Sequence, residues 1–428
     1  MEVHRGLDGN RRVFVERPDR SRVFVEHADH GHGFAERGGR GYVEHPYEFH
    51  GQEYGHRTYY EDGRVYDRYY RHYGYHGVYY EVYAPVRYFP LGFYAWVYNP
   101  WFTPTAYAWG WGGDPWFGYY GWYFQPYPTY AGPAYWLTDY MIATSLRAAY
   151  EAQLADAQMA AAYDRPPPLS PQVKELVAAE VRHQMEFDRQ AAVAYSQGRE
   201  PDPASGSVVA LLNDGYSHTF VAGTALDVVD DTYGRECMLS NGDVVQVGYP
   251  PPPDSPTAVV TVLASKGGIE CLPGTRASVA LVDLQGMQNH MREQIEQGLA
   301  ELSARQGAGG LPPAPPLALG EAVPAAYAVG APPPDESAAA EIRAQAEAAE
   351  QAEAAAAAPP PAQASYMPPP PAAAAPPPPP TLSLGQTPDE VVAVAGQPNR
   401  IVDLGAKKIY TYPDMKVYFQ DGRVVDIK

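Results

Sequence analysis

Trp96-Val97-Tyr98-Asn99-Pro100-Trp101-Phe102, Trp109-Gly110-Trp111-Gly112-Gly113-Asp114-Pro115-Trp116 and Tyr119-Tyr120-Gly121-Trp122-Tyr123-Phe124 follow one another closely along the chain. All 7 tryptophans lie between Trp96 and Trp136, and Asp114 is the only formally charged residue from Tyr88 to Trp136. Such a stretch carries too much ring surface to remain a solvated linker, and Pro and Gly interrupt it too often for one long helix. The rings must pack on each other, on the chain that follows, on a partner or at a membrane interface. Trp109 and Trp111 are the candidate contact residues if the surface faces outward.

Working outward from this segment (78–136), the chain that follows reads as two helices over 137–200. Thr138 or Asp139 is a candidate cap for a helix to about Tyr163, with Tyr140 and Tyr150 placed to dock on the preceding rings. Ser170-Pro171 then opens a second helix to about Ser196, with Leu176, Val177, Val181 and Met185 as its apolar stripe. His183 sits beside that stripe and reads as a surface or half-buried residue, not a ligand.

Residues 205–305 change to short β-rich runs: His218-Thr219-Phe220-Val221, Ala225 to Val229, Glu236 to Leu239, Asp243 to Val247, Thr257 to Leu263 and Ala277 to Val282. Turn dipeptides at Asp214-Gly215, Asn241-Gly242 and Gly267-Gly268 separate several of them, as in a small barrel. A helix follows from about Asp283, whose Leu284, Met287, Met291, Ile295, Leu299 and Leu302 form a seam fit for packing in cis or for a coiled coil. Cys237 and Cys271, the only cysteines, fall in this β region. They are either two buried thiols or a disulfide worth about 3 to 4 kcal/mol, as an oxidising compartment would allow.

Toward the amino terminus, 1–77 is rich in His, Tyr and Gly and carries a decaying repeat: Arg12-Val13-Phe14-Val15-Glu16, Arg22-Val23-Phe24-Val25-Glu26, Gly33-Phe34-Ala35-Glu36 and Gly41-Tyr42-Val43-Glu44. Each copy offers too little apolar surface for a core of its own, so the expectation is a largely disordered tail or weak strand pairing. One exception is a hairpin over Thr58 to Tyr70 around Asp62-Gly63. His27, His30 and His32 cluster as a candidate metal tract for zinc, copper or nickel, without the spacing that fixes a geometry.

The other flank, 306–380, reads as a long disordered Pro/Ala linker in extended polyproline form, interrupted by an Ala/Glu-rich helix over Asp335 to Ala358. With few large apolar side chains, that helix is expected to stand alone in solvent. Residues 381–428 form the last unit: Thr387-Pro388-Asp389-Glu390 is a capping box, Gly396-Gln397-Pro398 stops its helix, and four alternating strands follow. Val417 and Phe419 face the helix, and Tyr410, Tyr412 and Tyr418 are the candidate contact residues.

In 428 residues with 45 prolines and 40 glycines, these units amount to a multi-segment α+β chain. A net charge of -19 argues against nucleic acid as a partner. No apolar run is long enough for a transmembrane helix. HExxH, GxSxG, Walker A, GxGxxG before a helix, CxxC and the calcium-loop pattern do not occur, so neither a cofactor nor an enzymatic reaction is expected. Met1-Glu2-Val3-His4-Arg5-Gly6 has no secretory-signal character, which by itself predicts a cytoplasmic scaffold. The aromatic segment and paired cysteines instead favour the periplasm or an outer-membrane association, with a leader lying upstream.

Two stretches resemble known families. Ala225 to Val229 followed by Leu239-Ser240-Asn241-Gly242-Asp243-Val244 resembles bacterial SH3-like modules, which implies a small barrel that binds peptides or cell-wall glycans. Gly385-Gln386-Thr387, Glu390-Val391, Gly396-Gln397-Pro398, Tyr410, Tyr412 and Val417-Tyr418-Phe419-Gln420-Asp421-Gly422-Arg423-Val424 resemble the BamE (SmpA/OmlA) family of outer-membrane-assembly lipoproteins. That resemblance implies an α+β module with a scaffold role and no enzymatic activity, although no lipid-bearing Cys precedes it here. The combined expectation is a non-enzymatic envelope protein contacting a protein partner or peptidoglycan. A metal-sequestering protein using the His tract is the alternative from another class.

Overall fold

The computed structural model describes residues 1–28, 39–61, 63–155, 166–202, 204–252, 255–357, 381–404 and 407–428. The first of these do not behave as a tail. Strands β1 (Glu2–Arg5), β2 (Asn10–Glu16), β3 (Arg22–Ala28), β4 (Arg40–Phe49), β5 (Gln52–Glu61), β6 (Arg64–Tyr75) and β7 (Val78–Ala84) pair in sequence order as one antiparallel meander, curled into a half-barrel. His50-Gly51 and His76-Gly77 close two-residue turns with positive φ at both positions, a backbone twist that matches paired strands. The hairpin expected over Thr58 to Tyr70 is present as β5 and β6, with Glu61 opposite Arg64, while Asp62 itself lies outside the described residues.

The expected disorder fails because the missing apolar partner comes from far along the chain. Val13, Val23, Val25, Val43 and Tyr60 share one face of the half-barrel, and Ala338, Ile342, Ala346 and Ala349 of the Ala/Glu-rich helix cover it. Those four residues recur at helical spacing, so small side chains let the helix lie close on the sheet. Arg17 pairs with Glu341, Arg11 with Glu353, and Arg343 donates to the Tyr60 hydroxyl at 2.9 Å. The helix expected to stand in solvent is therefore the lid of a second small core.

After β8 (Arg87–Tyr88), the aromatic segment forms short helices α1 (Leu91–Tyr98) and α2 (Pro115–Tyr120). Helix α3 (Pro133–Ala155) starts earlier than Thr138: that hydroxyl donates to Ala134 O inside the helix, and Asp139 is buried against Lys174. Helix α4 (Pro171–Ser196) begins where the sequence places it, with Ser170 accepting from Val173 N. Next come α5 (Val208–Leu212), β9 (His218–Val221), β10 (Leu226–Val229), β11 (Glu236–Leu239), β12 (Val244–Val247), β13 (Thr257–Ala264) and β14 (Arg276–Ala280). These strands make a four-stranded antiparallel sheet in the order β14-β13-β12-β9, with β10 and β11 as a separate hairpin.

Helix α6 (Leu281–Arg305) lies at the centre and packs on β7, β9, α3 and α4, which settles its seam as a cis contact. Its Leu284, Met287, Met291, Ile295, Leu299 and Leu302 belong to one continuous core with Trp136, Phe220, Val177 and Val82. The units expected to fold independently over 78–305 thus share an interior. The first part of the expected linker joins it too: β15 (Val323–Pro324) pairs with β8, and Tyr327 of α7 (Ala326–Val329) stacks on Tyr54 at 4.8 Å. Helix α8 (Ala338–Ala357) is the lid described above; residues 358–380, the rest of the expected linker, lie outside the described residues.

The carboxyl-terminal unit keeps a core of its own. Helix α9 (Pro388–Ala395), with its Thr387/Glu390 capping box, lies over β16 (Arg400–Leu404), β17 (Lys407–Tyr412), β18 (Met415–Gln420) and β19 (Arg423–Ile427). Val391, Tyr412, Val417, Phe419 and Val424 fill the space between. The opposite sheet face docks on the rest of the molecule: Arg400 reaches Asp227 at 3.1 Å and Glu236 at 3.0 Å, and Lys416 reaches Glu236 at 3.3 Å.

Candidate functional site

Helix α3 supplies the platform on which the aromatic segment is laid. Trp111, Trp109, Trp136 and Tyr140 stack in that order, with ring centroids 5.2, 4.9 and 5.5 Å apart and planes within 23° of parallel. Trp136 and Tyr140 are one helical turn apart, which sets the spacing the loop rings must match. The Trp109 indole donates to the Tyr130 hydroxyl at 2.6 Å, and that hydroxyl donates to Asp139 at 2.8 Å. Lys174 pairs with Asp139 at 2.6 Å and lies 3.7 Å from the Tyr127 ring centre. Burial pushes the Asp139 carboxyl up and the Lys174 ammonium down, each against the pull of its partner. Trp109 and Trp111 are thus half-buried members of a packed stack, the self-packing reading of the sequence, and Tyr119 of α2 meets Tyr150 of α3 at 5.6 Å.

The open part of the aromatic shell lies elsewhere. An open groove of about 610 Å³ runs between α1 and the Pro312–Leu317 stretch, lined by Trp96, Trp101, Phe102, Leu317 and four prolines. Phe102 is fully exposed and Leu317 nearly so. Asn99, Thr103 and Thr105 are the only polar side chains in the lining, and no charged side chain contributes to it. Gly92 holds the two walls together, because a Cβ there would meet Leu317 O at 1.9 Å. Comparison of the chain with family models, curated proteins and solved structures returns no match. The groove therefore has to be read from its own chemistry. Rings and proline faces offer apolar contact, and an amide and two hydroxyls offer neutral hydrogen bonds, so an uncharged ligand loses nothing to an unmatched charge.

The remaining sequence candidates separate. Tyr412 is buried and donates to Gly396 O at 3.0 Å, and Tyr410 shares its sheet face and packs on Phe419, so both serve the module's core. Tyr418 is on the opposite face, beside Lys428, the face that also carries Arg400. The three tyrosines do not form one surface, because positions 410 and 412 alternate out of register with 418 across β17 and β18. Cys237 and Cys271 are joined as a disulfide that ties β11 to the loop after β13. His27 is buried at the end of β3, and His30 and His32 lie outside the described residues.

Sequence reading missed Phe102 and Leu317 as a pair. Phe102 was visible as part of the ring-rich run, but Leu317 sits in the expected linker, and only the docking of that stretch brings the two together. The single usable signal was the return of apolar residues at Leu311, Leu317 and Leu319 within Pro/Ala sequence.

Proposed function

We propose that this chain is a non-enzymatic structural or interaction protein of a bacterial cell envelope that holds a neutral glycan strand in the Trp96/Trp101/Phe102 groove. The observation that carries the reading is the fully exposed Phe102 ring in a groove without charged lining. A solvated ring of that size is a cost unless a partner covers it, and the flat faces of sugars suit ring stacking with hydroxyls left for Asn99, Thr103 and Thr105. The Cys237–Cys271 disulfide favours an oxidising compartment such as the periplasm. No helix among the described residues is long and apolar enough to cross a membrane, so any membrane association proceeds by another route.

In the same reading, the β-rich unit around Cys237 is an SH3-like module and 381–428 a BamE-like module that docks a protein partner. The second is supported by a capped helix followed by four antiparallel strands with their own core. The expected Pro/Ala spacer does not enter it over 306–357, which is packed.

Retention of the full chain on purified peptidoglycan and on a soluble N-acetylglucosamine oligomer tests the groove. Phe102→Ala and Trp96→Ala should weaken retention by at least about tenfold while the circular dichroism spectrum stays unchanged. Equal retention by wild type and variants would sink the assignment, and retention only on proline-rich peptides would replace the glycan with a polyproline ligand.

A further inference from the structure

Away from the groove, helix α4, the Asp214-Gly215 turn and the first residue of β9 bring His183, Asp214 and His218 together. One donor atom from each lies within 4.8 Å of the other two. The His218 Nε2 is 2.9 Å from Asp214 Oδ1, and the His183 Nε2 is 3.3 Å from Asp214 Oδ2. Two imidazoles and one carboxylate at these separations are a donor set for a divalent transition ion, leaving a further position toward solvent.

The surroundings are built as an oriented site. The other ring nitrogen of His218, Nδ1, is 3.0 Å from Glu180 Oε2, so the carboxylate holds the proton there and turns Nε2 toward Asp214. Glu180 is itself buried and fixed by Gln184 Nε2 at 2.7 Å and Thr219 N at 3.3 Å. Tyr216 N donates to Asp214 Oδ1 at 2.8 Å and sets that side chain. A carboxylate behind a ligating histidine is the usual way a metal site fixes ring orientation and tautomer. His183 and Asp214 remain partly exposed, which gives an ion a path in.

A second cluster, Glu44, His72 and Glu81, contrasts with this one. There Arg57 bonds both carboxylates and Arg22 bonds Glu81, so guanidinium groups already supply the positive charge. Among the described residues no Lys or Arg pairs with Asp214 or Glu180.

We propose that His183, Asp214 and His218 form a binding site for one divalent transition-metal ion, zinc foremost, with Glu180 as the residue that orients His218. The site is distinct from the histidine tract near the amino terminus and owes nothing to the glycan reading. Its role is to tie α4 to β9 on the surface of the shared core.

Titration of the metal-free full chain with zinc chloride, and with cobalt chloride followed by visible absorption, tests it. Wild type should take up one ion per chain with a tetrahedral cobalt spectrum. His183→Ala and Asp214→Asn, both at partly exposed positions, should lose that spectrum while melting like wild type in chelator. Glu180→Gln should keep the stoichiometry and weaken affinity by about tenfold to a hundredfold. A His27→Ala/His30→Ala/His32→Ala variant should behave as wild type. The proposal is overturned if His183→Ala binds as wild type does, if the spectrum disappears with the amino-terminal triple variant instead, or if wild type shows no stoichiometric uptake.

Discussion

The half-barrel β1–β7 and the carboxyl-terminal sheet β16–β19 are both antiparallel meanders, yet they are stabilised in opposite ways. The second buries its apolar face under α9, a helix that immediately precedes it, and Val391, Val417 and Phe419 meet within one short unit. The first buries its apolar face under α8, which lies more than two hundred residues downstream. Its other face carries a ladder of Phe24, Tyr42, Tyr59 and Tyr66 flanked by Arg12, Glu26 and Arg40, and by Arg22, Glu44 and Arg57. The comparison teaches that a strand pattern is legible from sequence when its cover is local and reads as low complexity when its cover is remote.

The largest break in the comparison should come from the remote cover. Ile342→Asp places an unpaired carboxylate in the α8 interface and should cost about 4 kcal/mol or more. Amide exchange should then rise at Val13, Val23, Val25 and Val43 and stay unchanged at Val417 and Phe419. Uniform loss of protection in both sheets would mean that the two are not separable.

Acid should divide the sheets next. Burial raises the Glu26 carboxyl, but Arg40 and Arg12 outweigh burial and hold it at about 2, below its ordinary 4.5. A depressed carboxyl stabilises the fold above its unfolded value and loses that contribution as pH falls from about 4.5 through 2, here about 3 kcal/mol. Glu26→Gln should flatten the acid limb of half-barrel unfolding in that window, followed by circular dichroism, and leave the carboxyl-terminal sheet as it was.

The local cover gives a smaller, confined effect. Val417→Ala should destabilise 381–428 by about 2 kcal/mol, visible as lost amide protection in β17 to β19, with the half-barrel untouched. The smallest effect belongs to the contact between the two parts of the molecule. Arg400→Ala removes the ion pairs to Asp227 and Glu236 but leaves Leu7 N on Asp227 and Lys416 on Glu236, and should cost about 1 to 2 kcal/mol of global stability. It should nonetheless raise amide exchange at Val228 and Val402, on the two sides of the contact; unchanged exchange at both would show that these ion pairs do not hold the parts together.

Glu296 sharpens the picture of the shared core. Burial pushes its carboxyl up to about 7 against the hydrogen bonds from Tyr83 and Val86. A raised carboxyl is protonated in the folded chain, so the group costs stability as pH rises from about 4.5 through 7. Glu296→Gln should raise the melting temperature at pH 8 and leave it nearly unchanged at pH 4.

What the sequence determined by itself are the elements whose signals are contained in a few consecutive residues. Ser170-Pro171 starts α4, Thr387 with Glu390 caps α9, and the strands from His218 to Ala280 and from Arg400 to Ile427 stand between turn residues that leave little choice of boundary. The seam of α6 was equally plain, because its apolar spacing is a property of one helix.

Tertiary structure alone decided where those faces go. It placed an Ala/Glu helix on Val13 and Val43, set Trp109 between Trp111 and Trp136, wove Tyr327 beneath Tyr54, and carried His183 to Asp214 and His218. The physical reason is that hydrophobic burial and side-chain coordination have no preference for sequence separation. An alanine-rich stripe or a lone histidine is ambiguous until the chain returns to supply the surface or the second ligand that completes it.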